Sequence, residues 1–546
     1  MSYKSNPSQQ VGLNDRFNNM TETEKKVLMG SWGKDFSDNI FPYICEDRFA
    51  VLYSDKKASR PNTPVNIIVG AMIIKEVLGL TDDELREALV CDIRMQYALH
   101  TTSYDQQPLS DRTLSRFRER LYEYEMEAGT DLVKEEIVSI AAGISKFMEL
   151  QPTLKRMDSL MVASACKDMT RLEVVYTVTA NLANAVHKAC GDELLQSMEH
   201  YLNADDEKRV IYHNKPEDRE SKIQEIIEDC TLLMERLGEE GAALAEYALA
   251  KRMLDDQSEE NKSGGRVAKN KHEIAPDSLQ NPSDPEATYR NKANKGYKGY
   301  AANVVQTFNK DGAAVITDYD FKQNTYSDIE FGKDTIENIG ERGEATPDNK
   351  VVMVTDGGYY SEENAELAKE NNIELIPTAL IGEKPPAIFA DFTINTKEKQ
   401  VEKCPAGNTP LKQSYNEKSN TYRTVMCKDQ CANCPHKEEC NAKIYKKSAV
   451  VTVSVKKVER ARVNRELTEG VYVEYRNMRN AIEGVQSVLR RKYRVDEVPA
   501  YGLIRTKLYF GFKVCAINFK KLMKYTRDKS AHLNDLLAPR EQYAQM

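Results

Sequence analysis

Val351-Val352-Met353-Val354-Thr355-Asp356-Gly357-Gly358-Tyr359 is a β-branched run that stops at an acid and two glycines. The run is too short and too β-rich for a helix, and Gly357-Gly358 forces a turn. It therefore reads as a buried strand delivering the Asp356 carboxylate to the rim of a sheet. An acid at a strand tip is a ready metal ligand. Two more acids stand in related contexts. Asp158 lies in Leu154-Lys155-Arg156-Met157-Asp158-Ser159, beside a second strand signal, and Glu483 lies on a long basic helix expected over 466–494.

Around the first stretch, residues 300–308 and 313–319 alternate like paired strands separated by the turn Asn309-Lys310-Asp311-Gly312. Helices are expected near 328–339 and 361–370, and a strand near 374–377. Together they predict a mixed α/β sheet. Residues 172–256 are helical and acid-rich, and Ser263-Gly264-Gly265-Arg266 opens a polar linker reaching about 285. The block over about 172–285 thus reads as a helical insertion after the first strand. Residues 389–403 read as an extended pair, and a second apolar helix is expected over 501–525.

The amino-terminal third is helical. Residues 1–40 are a polar lead-in containing Trp32. Thr63-Pro64 should open an apolar helix through Ile67, Ile68, Met72, Ile73 and Val77, closed by Gly79, and Thr81-Asp82-Asp83-Glu84 is a capping box. After a turn near Gln107-Pro108, Ser110-Asp111 caps a helix with Leu114, Phe117 and Leu121 on one stripe. Arg112, Arg116, Arg118 and Arg120 lie largely off that stripe. This pattern fits a helix-turn-helix type DNA reader and an ordinary charged bundle equally well.

A chain of 546 residues has room for two to four domains. Its net charge of −8 hides an asymmetry: residues 441–530 hold 22 Lys+Arg against 8 Asp+Glu. A polyanion responds to that local field, so the basic region is compatible with DNA; its bland counterpart is a solvated helix surface. No apolar run spans a bilayer and the start lacks a secretory signal, which leads to the expectation of a cytoplasmic protein without membrane contact.

Three carboxylates could hold two Mg²⁺ or Mn²⁺ ions for phosphoryl displacement, and without metal they would repel one another. Arg479, Glu483 and Arg490 share one helical face. That stripe is either a surface ion-pair ladder or an acid gripping metal between arginines gripping phosphates. Asp318, Asp320 and Asp168 read as structural or exposed, and the seven histidines suggest no catalytic dyad. Of eleven cysteines, Cys404, Cys427, Cys431, Cys434 and Cys440 cluster, and Cys431-x2-Cys434 suits a structural zinc. The alternative is a set of reduced thiols. Cys45, Cys91, Cys166, Cys190, Cys230 and Cys515 are expected to be small core residues.

Asp158, the Thr355-Asp356-Gly357-Gly358-Tyr359 element and the Arg479-x3-Glu483-x6-Arg490 stripe resemble the DDE transposases of bacterial insertion sequences. So do Ser283-Asp284-Pro285-Glu286-Ala287-Thr288, Lys295-Gly296-Tyr297-Lys298-Gly299-Tyr300, Ile316-Thr317-Asp318-Tyr319 and the stretch from Ser59-Arg60-Pro61 through Leu121. The resemblance covers most of residues 40–520. The family's helix motif places a tyrosine three residues before the arginine. This chain has Arg476 there, and Tyr475 is one step off.

The resemblance implies a helical DNA-binding domain over 41–150 and an RNase H-like core over 151–400. A cysteine-rich zinc module over 401–445, a basic helical remainder of the core over 446–530 and a tail over 531–546 follow. It implies Mg²⁺-dependent cleavage at inverted-repeat transposon ends and strand transfer into target DNA by a homodimer near the nucleoid. Asp158, Asp356 and Glu483 would be catalytic metal ligands. Arg479, Arg490, Arg112, Arg116, Lys295 and Lys298 would contact DNA. Cys404, Cys431, Cys434 and Cys440 would hold Zn²⁺, with Cys427 and His436 as substitutes. Rival readings are an inactive, transposase-derived DNA-binding protein and a nuclease that cuts without joining.

Overall fold

Leu154–Ala163 (β1) runs through the centre of a computed structural model that describes residues 1–6, 15–54, 60–103, 109–213, 215–261, 265–292, 294–382, 384–468 and 470–537. All of β1 but its last residue is buried, because strands flank it on both sides. The sheet also contains Thr288–Lys292 (β2), Lys295–Phe308 (β3), Ala314–Gln323 (β4), Val351–Thr355 (β5) and Ile373–Pro377 (β6). β3 pairs antiparallel with β1, while β5 lies parallel to β1 and β6 parallel to β5. β2 and β4 both pair antiparallel with β3. The expected mixed sheet is present.

The β3–β4 ladder slips between Val305 and Gln306. There the amide of Asn518, almost fully buried, exchanges two hydrogen bonds with the Ile316 backbone at 2.9 and 2.7 Å. A side chain thus completes a strand edge that would otherwise be buried unpaired.

In the amino-terminal third, Val65–Leu78 (α1), Asp82–Cys91 (α2), Asp111–Ala128 (α3) and Leu132–Phe147 (α4) form the helical unit. Gly79 closes α1 in the left-handed conformation, φ 73°, and Thr81 and Glu84 form the capping box of α2. The opening of α1 differs from expectation. Pro64 is itself the cap residue, and the Glu46 carboxylate accepts from the Val65 and Asn66 N–H groups at 3.0 and 3.4 Å. A carboxylate from elsewhere in the chain satisfies these amides as well as a local hydroxyl would. Residues 22–39, expected within a polar lead-in, form two short helices that bury Trp32, Phe36 and, just beyond, Ile40. The expected turn near Gln107-Pro108 lies outside the described residues, as do Ser59, Ser263 and Gly264.

Between β1 and β2 the insertion contains Arg171–Cys190 (α5), Arg219–Leu237 (α6) and Ala245–Gln257 (α7) around its own core of Val175, Leu182, Ile227, Leu233 and Met253. Asp328–Glu341 (α8) and Glu362–Glu370 (α9) pack together near the tip of β5. Lys412–Asn416 (β7), Thr421–Met426 (β8) and Ala449–Ser454 (β9) form a small separate antiparallel sheet. Cys404, Cys431 and Cys440 pack against its core.

Val455–Glu466 (α10) lies ahead of the helix expected over 466–494, which is itself divided into Gly470–Arg479 (α11) and Glu483–Arg491 (α12) with one 3-10 turn at Asn480–Ile482. Leu503–Leu537 (α13) follows. Phe510, Val514, Phe519 and Leu522 join α13 to α1, α4 and β4 in one core. Ion pairs Arg505 with Glu119, Lys507 with Glu125 and Asp131, and Lys513 with Glu76 link α13 to the amino-terminal unit. The helical unit is therefore packed onto the sheet, not tethered beside it. The isolated cysteines divide: Cys230 and Cys515 are core residues, but Cys45, Cys91 and Cys190 are exposed and Cys166 is half-buried. Each of these three exposed thiols sits at a helix end or connection, outside the apolar stripe that goes inward.

Candidate active site

Register brings the first two acids together. β1 and β5 run parallel with Leu154 opposite Val352 and Arg156 opposite Val354. Two further residues along each strand place Asp158 level with Asp356 and on the same face, with neighbouring strands about 4.8 Å apart. Asp158 lies in mid-strand and is 6% exposed, whereas Asp356 is at the tip, where its carboxylate accepts from the Gly357 N–H at 2.5 Å. Gly357 is required by close approach, since a Cβ there would stand 2.0 Å from the Ala379 carbonyl oxygen. Tyr359, fully buried below the turn, donates to Asn303 at 2.8 Å.

The third acid arrives on α12. The Arg479 guanidinium joins all three: it lies 2.8 Å from Asp158 Oδ2, 2.7 Å from Glu483 Oε1 and 3.9 Å from Asp356 Oδ2. Acids separated by hundreds of residues thus share one cation. Two further contacts dock α12 on β1. Gln486 donates to Asp158 Oδ2 at 2.8 Å and to the Ser159 carbonyl at 3.0 Å, and Arg490 donates to the Met161 carbonyl at 2.6 Å. Arg156 donates to the Met478 carbonyl near the end of α11 at 2.5 Å and to Gln306 on β3 at 2.9 Å. Tyr475, one step off the family's tyrosine position, packs instead beside Leu154 and Phe308. Of the stripe at 479, 483 and 490, Arg479 is buried against β1 while its i,i+4 ion-pair partner Glu483 is exposed.

Burial pushes the Asp158 carboxyl up to about 6, and Asp356 adds to the shift, while Arg479, the Ser159 N–H and Lys292 oppose it. An acid raised in the folded state binds protons more readily than in the unfolded chain between roughly pH 4 and 6, so it costs stability above that window. Asp158→Asn, in chelator, should therefore stabilise the fold at pH 8 by on the order of 2 kcal/mol, with the gain shrinking as pH falls towards 4. Paired urea melts at pH 8 and pH 4 measure this; no gain at pH 8 would contradict it.

Reading by pattern missed Gln486, Arg156 and Asp328. The Asp328 carboxylate accepts from Ser159 Oγ at 2.8 Å and stands 3.9 and 3.8 Å from Arg290 and Lys292. Only Gln486 carried a signal, being three residues after Glu483 and so on its face. The other expected DNA contacts are dispersed. Arg112 and Arg116 are exposed on α3, whereas Arg118 of that helix pairs with Asp82 at 2.6 Å. Lys298 pairs with Asp168 at 2.7 Å, and Lys295 lies 5.2 Å over the Tyr297 ring. Lys295, Tyr297, Lys298 and Arg490 line a groove of about 340 Å³ at the end of β1. Asp318 and Asp320 serve an ion-pair network with Lys134 and Arg342.

Cys404, Cys431, Cys434, His436 and Cys440 are among the residues that line a cavity of about 20 Å³. Burial and the neighbouring thiols push Cys440 up to about 11 and raise Cys431. Among the described residues, no three His, Cys, Asp or Glu side chains already stand at distances that could share one metal ion. At the acids, the guanidinium lies between them. Among the described residues, no helix is long and apolar enough to cross a membrane.

No curated protein and no solved structure matches the chain. Two family descriptions do. A Transposase domain (DUF772) matches residues 35–120, covering α1 and α2 and most of α3, and a Transposase DDE domain matches residues 403–523. The second match takes in the cysteine cluster, Arg479, Glu483 and Arg490, while Asp158 and Asp356 lie outside both. Both descriptions are of transposase domains, so the chain is similar to transposases over residues 35–120 and, through a DDE domain, over residues 403–523.

Proposed function

We propose that this protein is a transposase that cleaves DNA strands at the ends of its element and joins them to target DNA, with Asp158, Asp356 and Glu483 as metal ligands. The observation that carries this reading is the single guanidinium of Arg479 within 4 Å of all three carboxylates. A region that gathers three acids around one positive charge suits divalent cations with all-oxygen ligands. Two Mg²⁺ or Mn²⁺ ions would supply charge stabilisation to the attacking and leaving oxygens of an in-line displacement. Asp356 and Glu483, half-exposed and exposed, have room to turn towards them; Asp158 is held in place. The strand order β4–β3–β1–β5–β6, with β3 antiparallel and β5 and β6 parallel to β1, supports an RNase H-like core.

Arg490, Lys295 and Lys298 would guide the DNA backbone along the groove at the end of β1, and Arg112 and Arg116 on α3 would contact the end sequence. Two such protomers would act on paired ends. The test is a duplex bearing the element's inverted repeats, incubated with Mg²⁺ or with chelator. Mg²⁺-dependent nicks ending in 3′-hydroxyls, and strands joined to a second duplex, are expected. No nicking under Mg²⁺ would favour an inactive DNA binder, and nicks without joined strands would favour a nuclease.

We propose further that Cys404, Cys431, Cys434 and Cys440, drawn closer together than they stand here, would hold a structural Zn²⁺ that ties the β8–β9 connection to the segment before β7. One zinc per chain is expected in purified protein. Stripping it, or Cys434→Ser, should lower the melting temperature; metal-free protein that melts no earlier with chelator would rule it out.

A further inference from the structure

Asp158 is held by two side chains of different character. Its Oδ1 accepts from the Ser159 N–H at 3.0 Å, and its Oδ2 is shared by Gln486 Nε2 and Arg479 Nη2, both at 2.8 Å. Gln486 is a neutral amide that also donates to the Ser159 carbonyl at 3.0 Å, so it bridges the acid and the strand that bears it. Arg479 is a cation 2.7 Å from Glu483 and 3.9 Å from Asp356, with a buried Nε that has no hydrogen-bond partner. Positive charge brought to the acids repels a guanidinium and leaves an uncharged amide where it is.

We propose that Gln486 is a positioning residue that keeps Asp158 aligned with the helix of Glu483, whereas Arg479 is a resident counter-cation that divalent ions must displace. The proposal rests on the three acids being metal ligands. It also explains how Arg479 serves DNA. Once moved off the carboxylates, its guanidinium has several donors free beside the reacting phosphate, and Arg binds phosphate oxygens in paired fashion. The 3-10 turn at Asn480–Ile482 follows Arg479 immediately, at the junction of α11 and α12.

The two roles give opposite signs in one measurement. Mn²⁺ is titrated calorimetrically into the full chain without DNA, and each variant's melting in chelator checks its fold. Arg479→Gln should bind Mn²⁺ about tenfold more tightly, because a competing charge contact is gone. Gln486→Met, of similar length but without the donor, should bind about tenfold or more weakly, the usual cost of losing a hydrogen bond behind a ligand. Arg491→Gln, the same loss of charge on the exposed side of α12, should leave the affinity within about twofold. If Arg479→Gln does not fold, Arg479→Lys, with one ammonium in place of the fork, should show a smaller tightening.

Unchanged or weaker binding by the Arg479 variants overturns the counter-cation role, and unchanged binding by Gln486→Met overturns the positioning role. If the wild type takes up no Mn²⁺, or Asp356→Asn takes it up equally well, the metal reading of the acids falls and the proposal falls with it. That outcome is distinguishable, because it appears in the wild type and Asp356→Asn before Arg479 or Gln486 is altered.

Discussion

Asp356→Asn is expected to lower Mg²⁺-dependent nicking by about a thousandfold or more, the ~4 kcal/mol at which loss of one charge-stabilising group is commonly measured. Asparagine keeps the shape of the side chain, and its amide oxygen can still accept from the Gly357 N–H, so the strand tip and its 3-10 turn should survive. What disappears is a negative charge beside Asp158. DNA binding, which draws on cations elsewhere, should change by less than about twofold in a mobility-shift assay. Asp158→Asn and Glu483→Gln should lose nicking to a similar extent, and the three losses should not multiply when combined, since the ligands act as one unit. Retained nicking by Asp356→Asn, with intact folding, would remove Asp356 from the site.

Asp284→Ala should destabilise the fold by about 3–5 kcal/mol. Asp284 is fully buried, and its carboxylate accepts from Tyr300 Oη at 2.5 Å, Ser164 Oγ at 2.5 Å and the Gly502 N–H at 3.1 Å. These donors come from β3, the exit of β1 and the start of α13, so one carboxylate ties the root of the insertion to the sheet and to the last long helix. Glu286, two residues on, accepts from the Leu503 N–H at 2.8 Å and caps α13. Removing Asp284 leaves three donors facing a cavity with no acceptor. Denaturant melts measure the loss, and Asp284→Asn should lose less because its carbonyl oxygen replaces part of the acceptor set. A loss below about 1 kcal/mol for Asp284→Ala would show that water or a rearranged neighbour replaces the carboxylate.

The motif Ser283-Asp284-Pro285-Glu286-Ala287-Thr288 illustrates what a sequence can and cannot reveal. Its resemblance to a family segment was legible; its work as a clamp between β1, β3 and α13 was not. The same division runs through the site. Asp356 could be placed at a strand tip because β-branched residues and a Gly-Gly turn act within a few residues of one another. Asp158 carried a weaker local signal, and its pairing with Asp356 depends on the parallel register of β1 and β5, set by contacts across about two hundred residues. Glu483 was legible as an acid on a basic helix, but the break of that helix at Asn480–Ile482 was not. Helical periodicity continues through such a turn with little change in which residues share a face.

The cations divide in the same way. Arg118 and Arg116 both lie off the apolar stripe of α3, yet Arg118 finds Asp82 on α2 and stacks 5.1 Å over Tyr509, while Arg116 remains in solvent. Nothing in the local pattern separates them, since the partners of Arg118 belong to other helices. Lys298 is likewise paired with Asp168, across the opening of the insertion.

By itself, the chain's order of residues determined β1, β3, β4, β5 and β6, though not β2 or β7 to β9, together with most helices, their glycine and capping-box ends, and the helical run between the first strand and the rest. These depend on side-chain periodicity, backbone preference and hydrogen bonds spanning a handful of positions. Only the tertiary structure decided that Arg479 lies among the three acids, that Gln486 and Arg490 fasten α12 to β1, and that the amino-terminal helices share a core with α13. Each of those outcomes depends on which distant group arrives first at a buried donor or acceptor, and burial, not spacing along the chain, decides how strongly that partner is needed.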